Sequence, residues 1–298
     1  YTDAEGTVIY KKGKTELKEG EKYAILPSYS PENNPANYPS PSVANSAIDI
    51  SACKSNLEML IEIMKSVDEN ADTSHWENLL KNVPDYLYDK TGAIKEWATT
   101  DFEENNLHRH LSHLYCVWPM FETQDNEALY VACVQAIENR ASENNASHAL
   151  VHRALIGARL KDSKTVTDSL VGLTNNWIYY DSLMTNHDTN RWSCYCTDFA
   201  IGYLGIINES LVYSYTDEIE ILPALPESGF DMGEICGMRT RCRAVIDSLK
   251  WNRANGTAEV TITSDIAQNI DVSCGLSDDA HTLAFAEGET KTISFNIA

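Results

Sequence analysis

Lysine and arginine are scarce in this chain: 23 residues against 44 aspartates and glutamates in 298, for a formal net charge of −21. Phosphate backbones and anionic lipid surfaces are held by clustered cations, so neither nucleic acid nor a membrane surface is an expected partner. Long apolar runs are missing as well. No stretch approaches the roughly 18 apolar residues of a membrane-spanning helix. The eight cysteines, at 53, 116, 133, 194, 196, 236, 242 and 274, form no CxxC pair and no compact framework. Buried free thiols are therefore expected in place of a small disulfide scaffold. Also absent are a P-loop, a GxGxxG after a strand, GxSxG and HExxH, which removes the common signatures of nucleotide binding, serine hydrolysis and zinc proteolysis. No initiator methionine and no signal peptide precede Tyr1, and the chain opens as if inside a domain, so a piece of a longer protein is expected.

Hydrophobic residues make up 43% of the sequence, enough for an extensive core. Fifteen tyrosines and six tryptophans add many amphipathic faces. An acidic, aromatic-bearing surface suits a neutral, polyhydroxylated substrate.

Residues 1 to 40 read as loop-rich, with a hairpin expected from Gly6 to Leu26 and then the Pro- and Asn-laden SYSPENNPANYPSPS. From about Val43 the spacing turns helical. Ile50, Cys53, Leu57, Leu60, Ile61 and Met64 share one face, and Leu129, Ala132, Cys133, Ala136 and Ile137 share another. Further helices are expected over about 146–160, 164–173 and 198–213, the last holding Ala200, Leu204, Ile207 and Leu211 together. The period then becomes two: Ala258, Val260 and Ile262, then Ile270, Val272 and Cys274, then Ile293, Phe295 and Ile297 alternate with polar partners. Helices followed by a block of strands predict a mainly α domain over 1–215 and an antiparallel, all-β, sandwich-like domain over 216–298.

One segment concentrates reactive side chains: EWATTDFEENNLHRHLSHL, from Glu96 to Leu114. Such a density of titratable groups is costly to bury and unnecessary for a core. His108, His110 and His113 have the composition of a metal set, but Arg109 among them opposes a divalent cation, so no metal and no cofactor is expected. Oriented donors to hydroxyls or carboxylates are the expected use, with a structural hydrogen-bonded cluster as the alternative. Glu96 stands beside Trp97, and an indole face disfavours a charged carboxylate, as a general acid requires. The competing reading is a solvated Glu at a helix start. Asp101, Glu103 and Glu104 read as an exposed acidic run.

Two other places carry candidates. Asp198 stands where helical spacing begins, and on the residues alone it reads first as an N-cap. His148 and His152, four residues apart, can share a helix face, with Arg153 next to them.

In order, these motifs resemble glycoside hydrolase family 95, the inverting α-L-fucosidases and related α-L-galactosidases. The resemblance rests on Pro27-Ser28 with Ser30-Pro-Glu-Asn33, Ile94-Lys-Glu-Trp97, His108-Arg-His-Leu-Ser-His-Leu114, Ala158-Arg-Leu160 and Ile221-Leu-Pro-Ala-Leu-Pro226. Gly233-Glu-Ile-Cys-Gly-Met-Arg239 and Trp251 extend it. The resemblance implies part of an (α/α)6 barrel followed by a C-terminal β-sandwich, acting on an oligosaccharide or glycoconjugate glycan. It implies Glu96 as general acid, and Asp198 as the aspartate that polarises an asparagine base. It also implies Glu32, Trp97, His108, Arg109, His110, His113, His152 and Arg153 near the sugar. In an inverting glycosidase the acid and base stand about 6.5–9.5 Å apart, with room for a water between. The family's asparagine-bearing segment is not in this chain. Phe199-Ala200 follows Asp198 where the family has a small residue and then Asn, and His148 and His152 occupy positions where Trp or other residues are common. A non-catalytic carbohydrate-binding protein derived from such an enzyme is the alternative. A partial barrel would expose apolar helix faces, which predicts self-association or a covering segment.

Overall fold

A computed structural model describes residues 1–11, 16–140, 146–175, 185–187 and 195–297. The chain divides into two compact units, Tyr1–Asn144 and Asn145–Ala298. The change from helix to strand, expected near 215, occurs at Val212, inside the second unit.

In the first unit, a short connection joins α1 (Ala47–Val67) to α2 (Ser74–Lys81) and a long one joins α2 to α3 (Glu127–Asn139). All five apolar residues assigned to the face of α3 are buried. Asn126 caps that helix, its side-chain oxygen accepting from Leu129 N at 3.1 Å. On α1, Ile50 is buried and the other five residues of its stripe are half-buried. Ile50 packs with Val83 and Ala98, and Cys53, Leu57, Tyr86 and Leu87 close around them. Helix α2 was not anticipated because it is short: its apolar residues Trp76, Leu79 and Leu80 stand at helical spacing over about two turns and are only half-buried. It is tied locally, by Thr73 Oγ1 and Lys65 Nζ donating to Glu77 Oε1 at 2.9 and 2.7 Å.

The expected Gly6–Leu26 hairpin is replaced, among the described residues, by isolated bridges of Thr2 with Val8 and with Lys22. Asp3 Oδ1 accepts from Glu5 N and Thr7 N, at 3.1 and 2.8 Å, and folds residues 3–7 into a local turn, while residues 12–15 of the expected hairpin lie outside the described residues.

The second unit opens with α4 (Ser147–Arg159), α5 (Ser163–Asn175) and α6 (Thr197–Leu211). Two glycines let these helices approach. A Cβ on Gly157 would lie 2.7 Å from Thr165 Cγ2, and one on Gly202 would lie 2.6 Å from Val151 Cγ1. Arg159 of α4, nearly fully buried, donates from Nη2 to Glu209 Oε2 of α6 at 2.9 Å. The buried face of α6 is a correction to the sequence reading: Phe199, Ile206, Ser210 and Leu211 are buried, while Leu204 is 69% and Ile201 76% exposed. The helix is apolar on more than one side, and spacing alone does not choose between the two stripes.

Among the described residues nine strands follow: β1 (Val212–Tyr215), β2 (Glu218–Ile221), β3 (Met232–Ile235), β4 (Met238–Arg239), β5 (Ala244–Asn252), β6 (Thr257–Ser264), β7 (Gln268–Cys274), β8 (Ala280–Phe285) and β9 (Thr290–Asn296). They form two sheets, ordered β1-β2-β7-β8 and β3-β5-β6-β9, with β4 also on β5. The expectation of a wholly antiparallel domain needs one correction. Strands β2 and β7 run parallel, Glu218 opposite Asp271 and Ile221 opposite Cys274, because the chain crosses through the other sheet between them. One core joins the inner faces, from Ile219, Ile221, Ile270 and Val272 of one sheet to Ile246, Leu249, Val260, Ile262 and Phe295 of the other. Each such side chain contributes about 1.5–3 kcal/mol on burial.

No described helix is long and apolar enough to cross a membrane. Of the described cysteines, 116, 133, 196, 242 and 274 are buried, Cys53 is half-buried and Cys236 is exposed, all as free thiols. Cys194 lies outside the described residues.

Candidate active site

Glu96 follows an isolated bridge at Ile94 and precedes one at Trp97, so its backbone is fixed on both sides. Its side chain is fully buried. Three donors surround the carboxyl: Ser30 Oγ reaches Oε1 at 2.6 Å, and Asn33 Nδ2 and Arg140 Nη2 reach Oε2 at 2.7 and 2.6 Å. Arg140 is itself fully buried, so the two form an ion pair without solvent. The sequence expectation turned on the indole of Trp97; the polar partners of the carboxyl are instead these three donors. Trp97 is fully buried beside it in the chain. Glu96 is not a solvated helix-start residue.

The Ser30–Asn33 loop is held from several directions. Asn33 Nδ2 also donates to Asn105 O at 3.0 Å, and Asn105 Nδ2 returns a bond to Asn33 Oδ1 at 3.1 Å. Ser112 Oγ donates to Pro31 O, and Glu32 N donates to His110 Nδ1 at 3.0 Å. That bond makes Nδ1 of His110 an acceptor and places the ring proton on Nε2. Glu32 carboxylate accepts from Arg109 Nη2 at 2.9 Å, and His110 Nε2 is 4.0 Å from the same oxygen. Arg140 Nη1 donates to the carbonyl of His110. Glu32, Glu96, Arg109, His110 and Arg140 thus belong to one continuous polar network.

The histidine segment does not open a helix at His108. Only a 3-10 turn forms, over Ser112–Cys116. His108 Nδ1 accepts from His110 N at 3.2 Å, and their rings meet edge to face at 4.9 Å. His113 is buried on the turn. Among the described residues no three His, Cys, Asp or Glu side chains gather as a metal would need.

Asp101 and Glu103 are exposed, as read from sequence, but Glu104 is not. Its Oε2 accepts from Glu96 N at 2.9 Å, and its Oε1 is buried without a hydrogen-bond partner. Burial pushes its carboxyl up to about 7, with the negative charge of Glu96 adding to the effect. The bond from Glu96 N and the cations Lys95 and Arg140 limit the rise. Neither Arg140 nor Glu104 was singled out by the sequence. Arg140 ends α3 outside any motif, and the one signal for it was the rule that a buried Glu needs a cation.

The second unit carries the remaining candidates. Asp198 is not the N-cap of α6; Cys196 is, and it makes no side-chain capping bond. Asp198 lies in the first turn, where the helix dipole favours a carboxylate. Its Oδ2 is 3.2 Å from His148 Nδ1 and 3.9 Å from Cys196 Sγ. His148 and His152 of α4 stand 5.9 Å apart between ring centroids, so the four-residue spacing brings them together as read. Arg153 follows them, half-buried.

Comparison with known proteins gives three findings. The glycosyl hydrolase family 95 catalytic domain matches residues 10–211. Alpha-L-fucosidase 2 of Arabidopsis thaliana is 28% identical over 242 residues, covering 77% of this chain and 28% of that protein. A solved structure described as a kojibiose phosphorylase from the human microbiome superposes with a TM-score of 0.54 at 11% identity, over 92% of this chain and 42% of its own. At that identity the likeness is one of fold. The chain thus spans less than half the length of either relative.

Proposed function

The chain belongs to glycosyl hydrolase family 95, and from that premise we propose that it is part of an inverting glycosidase acting on terminal α-L-fucosyl or α-L-galactosyl residues of oligosaccharides. The observation that carries this reading is the matched span itself. It contains both Glu96, in its buried set of donors, and Asp198, with its imidazole partner.

In the proposed reaction Glu96 protonates the glycosidic oxygen. Ser30 Oγ can accept as readily as donate, so its 2.6 Å contact with Oε1 also holds a protonated carboxyl. The glycan must then replace one of the three donors as partner. Asp198 polarises an asparagine outside residues 1–298, which activates water on the opposite face of the ring. His152 and Arg153, and in the first unit Glu32, Trp97, His108, Arg109, His110 and His113, support sugar binding. The helices would form part of an (α/α)6 barrel with the two-sheet region beside it as a β-sandwich, completed by further chain or by self-association.

A second reading, a carbohydrate-binding protein without turnover, draws on the buried Arg140 pair. A carboxylate held at 2.6 Å by a guanidinium has a cation, not a glycan, as its partner. Hydrolysis of α-L-fucosides by the intact protein and its Glu96→Gln variant separates the two. The enzymatic reading expects turnover in the wild type and a loss of at least about 100-fold in kcat/KM in the variant. Glycan binding with no turnover in either supports the second reading, and turnover unchanged by the substitution removes Glu96 from the acid role.

A further inference from the structure

Two clefts of the first unit lie apart from the Glu96 carboxyl. One, of about 620 Å3, is walled by Tyr88, Lys95, Phe102, Glu103, Glu104 and Asn106, among others. The other, of about 500 Å3, includes Tyr10, Leu26, Pro27, Tyr38 and Phe102. Both fall in the range of about 300–1,000 Å3 common for small-ligand sites. Phe102 belongs to both walls, and its ring stacks on Tyr38 with centroids 5.5 Å apart and planes 25° from parallel. The clefts therefore share Phe102, while Tyr38 lines the second alone. Further rings flank this pair on either side, Tyr10 at 75% and Tyr88 at 49% exposure.

The polar groups decide what could lie there. Lys95 is already committed, donating to Thr99 O at 2.7 Å and Phe102 O at 2.9 Å. Asp89 is committed too, accepting from Thr91 N at 2.7 Å and Ala93 N at 3.1 Å. Glu104 is committed as well, its Oε2 to Glu96 N and its Oε1 buried, so what remains is Glu103, Asn106 and, at the rim, the exposed Lys90. Three carboxyls, of Asp89, Glu103 and Glu104, against two cations, of Lys90 and Lys95, disfavour an anion. Aromatic faces beside amide and carboxyl groups fit a pyranose ring, which offers an apolar C–H face and a rim of hydroxyls.

We propose that the two clefts form one groove for a neutral oligosaccharide chain, with Phe102 and Tyr88 as stacking faces and Glu103 and Asn106 as partners of sugar hydroxyls. The inference rests on the glycosidase reading for the class of ligand, and adds a binding site that does not use the Glu96 carboxyl.

The test uses the intact protein on an array of neutral oligosaccharides, with Tyr88→Ala and Phe102→Ala beside the wild type and thermal melting as the folding control. Tyr88 is half-exposed, so its truncation leaves the core in place even where Phe102→Ala loosens Tyr38. Retention of neutral glycans by the wild type, weakened about 2- to 10-fold in Tyr88→Ala at an unchanged melting temperature, is expected. Retention of none, or equal retention by a folded Tyr88→Ala, overturns the groove. Hydrolysis by the same preparations separates the claims. Wild-type turnover with Tyr88→Ala binding unchanged keeps the glycosidase reading and removes the groove, whereas weakened binding in Tyr88→Ala without any turnover does the reverse.

Discussion

Glu104 sits in a run of acidic residues that looks solvated, yet its carboxyl is drawn inward to accept the amide of Glu96. Burial raises it from 4.5 to about 7. Between those values the folded chain keeps a proton that the unfolded chain releases, so stability falls as pH rises from about 4.5 to 7, and the whole cost is present above 7. Glu104→Gln keeps an acceptor for Glu96 N and removes the titration. We predict that urea unfolding finds the variant more stable than the wild type above pH 7, by on the order of 1–3 kcal/mol, with the difference vanishing toward pH 4.5. A constant difference across that window would place the titration elsewhere. The sequence singled out Glu96 and the Ser30–Asn33 loop, because both lie in motifs. It did not show Arg140 or the burial of Glu104, because an ion pair between residues 44 apart leaves no local pattern.

Among the elements, those facing a single core were the legible ones. The stripe of α3 and the alternation of β6, with Ala258, Val260 and Ile262 inward, match burial residue by residue. Helix α6 was misread in its facing because Ile201 and Leu204 are as apolar as the residues it buries. The parallel β2–β7 pair was invisible, since alternation records which side faces the core but not strand direction. Close backbone approach is likewise unreadable, and Gly275 shows its cost. A Cβ there would lie 2.5 Å from Leu222 O and 2.8 Å from Pro223 Cα, backbone atoms that cannot turn aside. Gly275→Ala is predicted to destabilise the protein by about 1–3 kcal/mol, read from chemical unfolding. A neutral result would mean that the end of β7 can move away from residues 222–223.

For the whole molecule, the charge of −21 and the apolar helix faces oppose one another. On α1, Met59, Ile63 and Val67 are 55%, 53% and 84% exposed at four-residue spacing, which lines them up along one side. On α6, Ile201 and Leu204 form a second uncovered row. Rows of this kind mark surfaces that another segment or copy covers. Light scattering of residues 1–298 alone is predicted to give a mass above the 33.3 kDa of one chain, more so at high salt, where repulsion between the acidic surfaces is screened. A monomer at all salt concentrations would show that these rows need no partner.

The stereochemistry of turnover tests the central claim most directly. Proton NMR of a terminal α-L-fucoside during hydrolysis by the intact protein resolves the anomer released before mutarotation. The account predicts the β-anomer first, since water attacks the face opposite the leaving group while the Glu96 proton goes to the departing oxygen. Release of the α-anomer first would contradict it, because retention requires a covalent carboxylate nucleophile rather than an activated water.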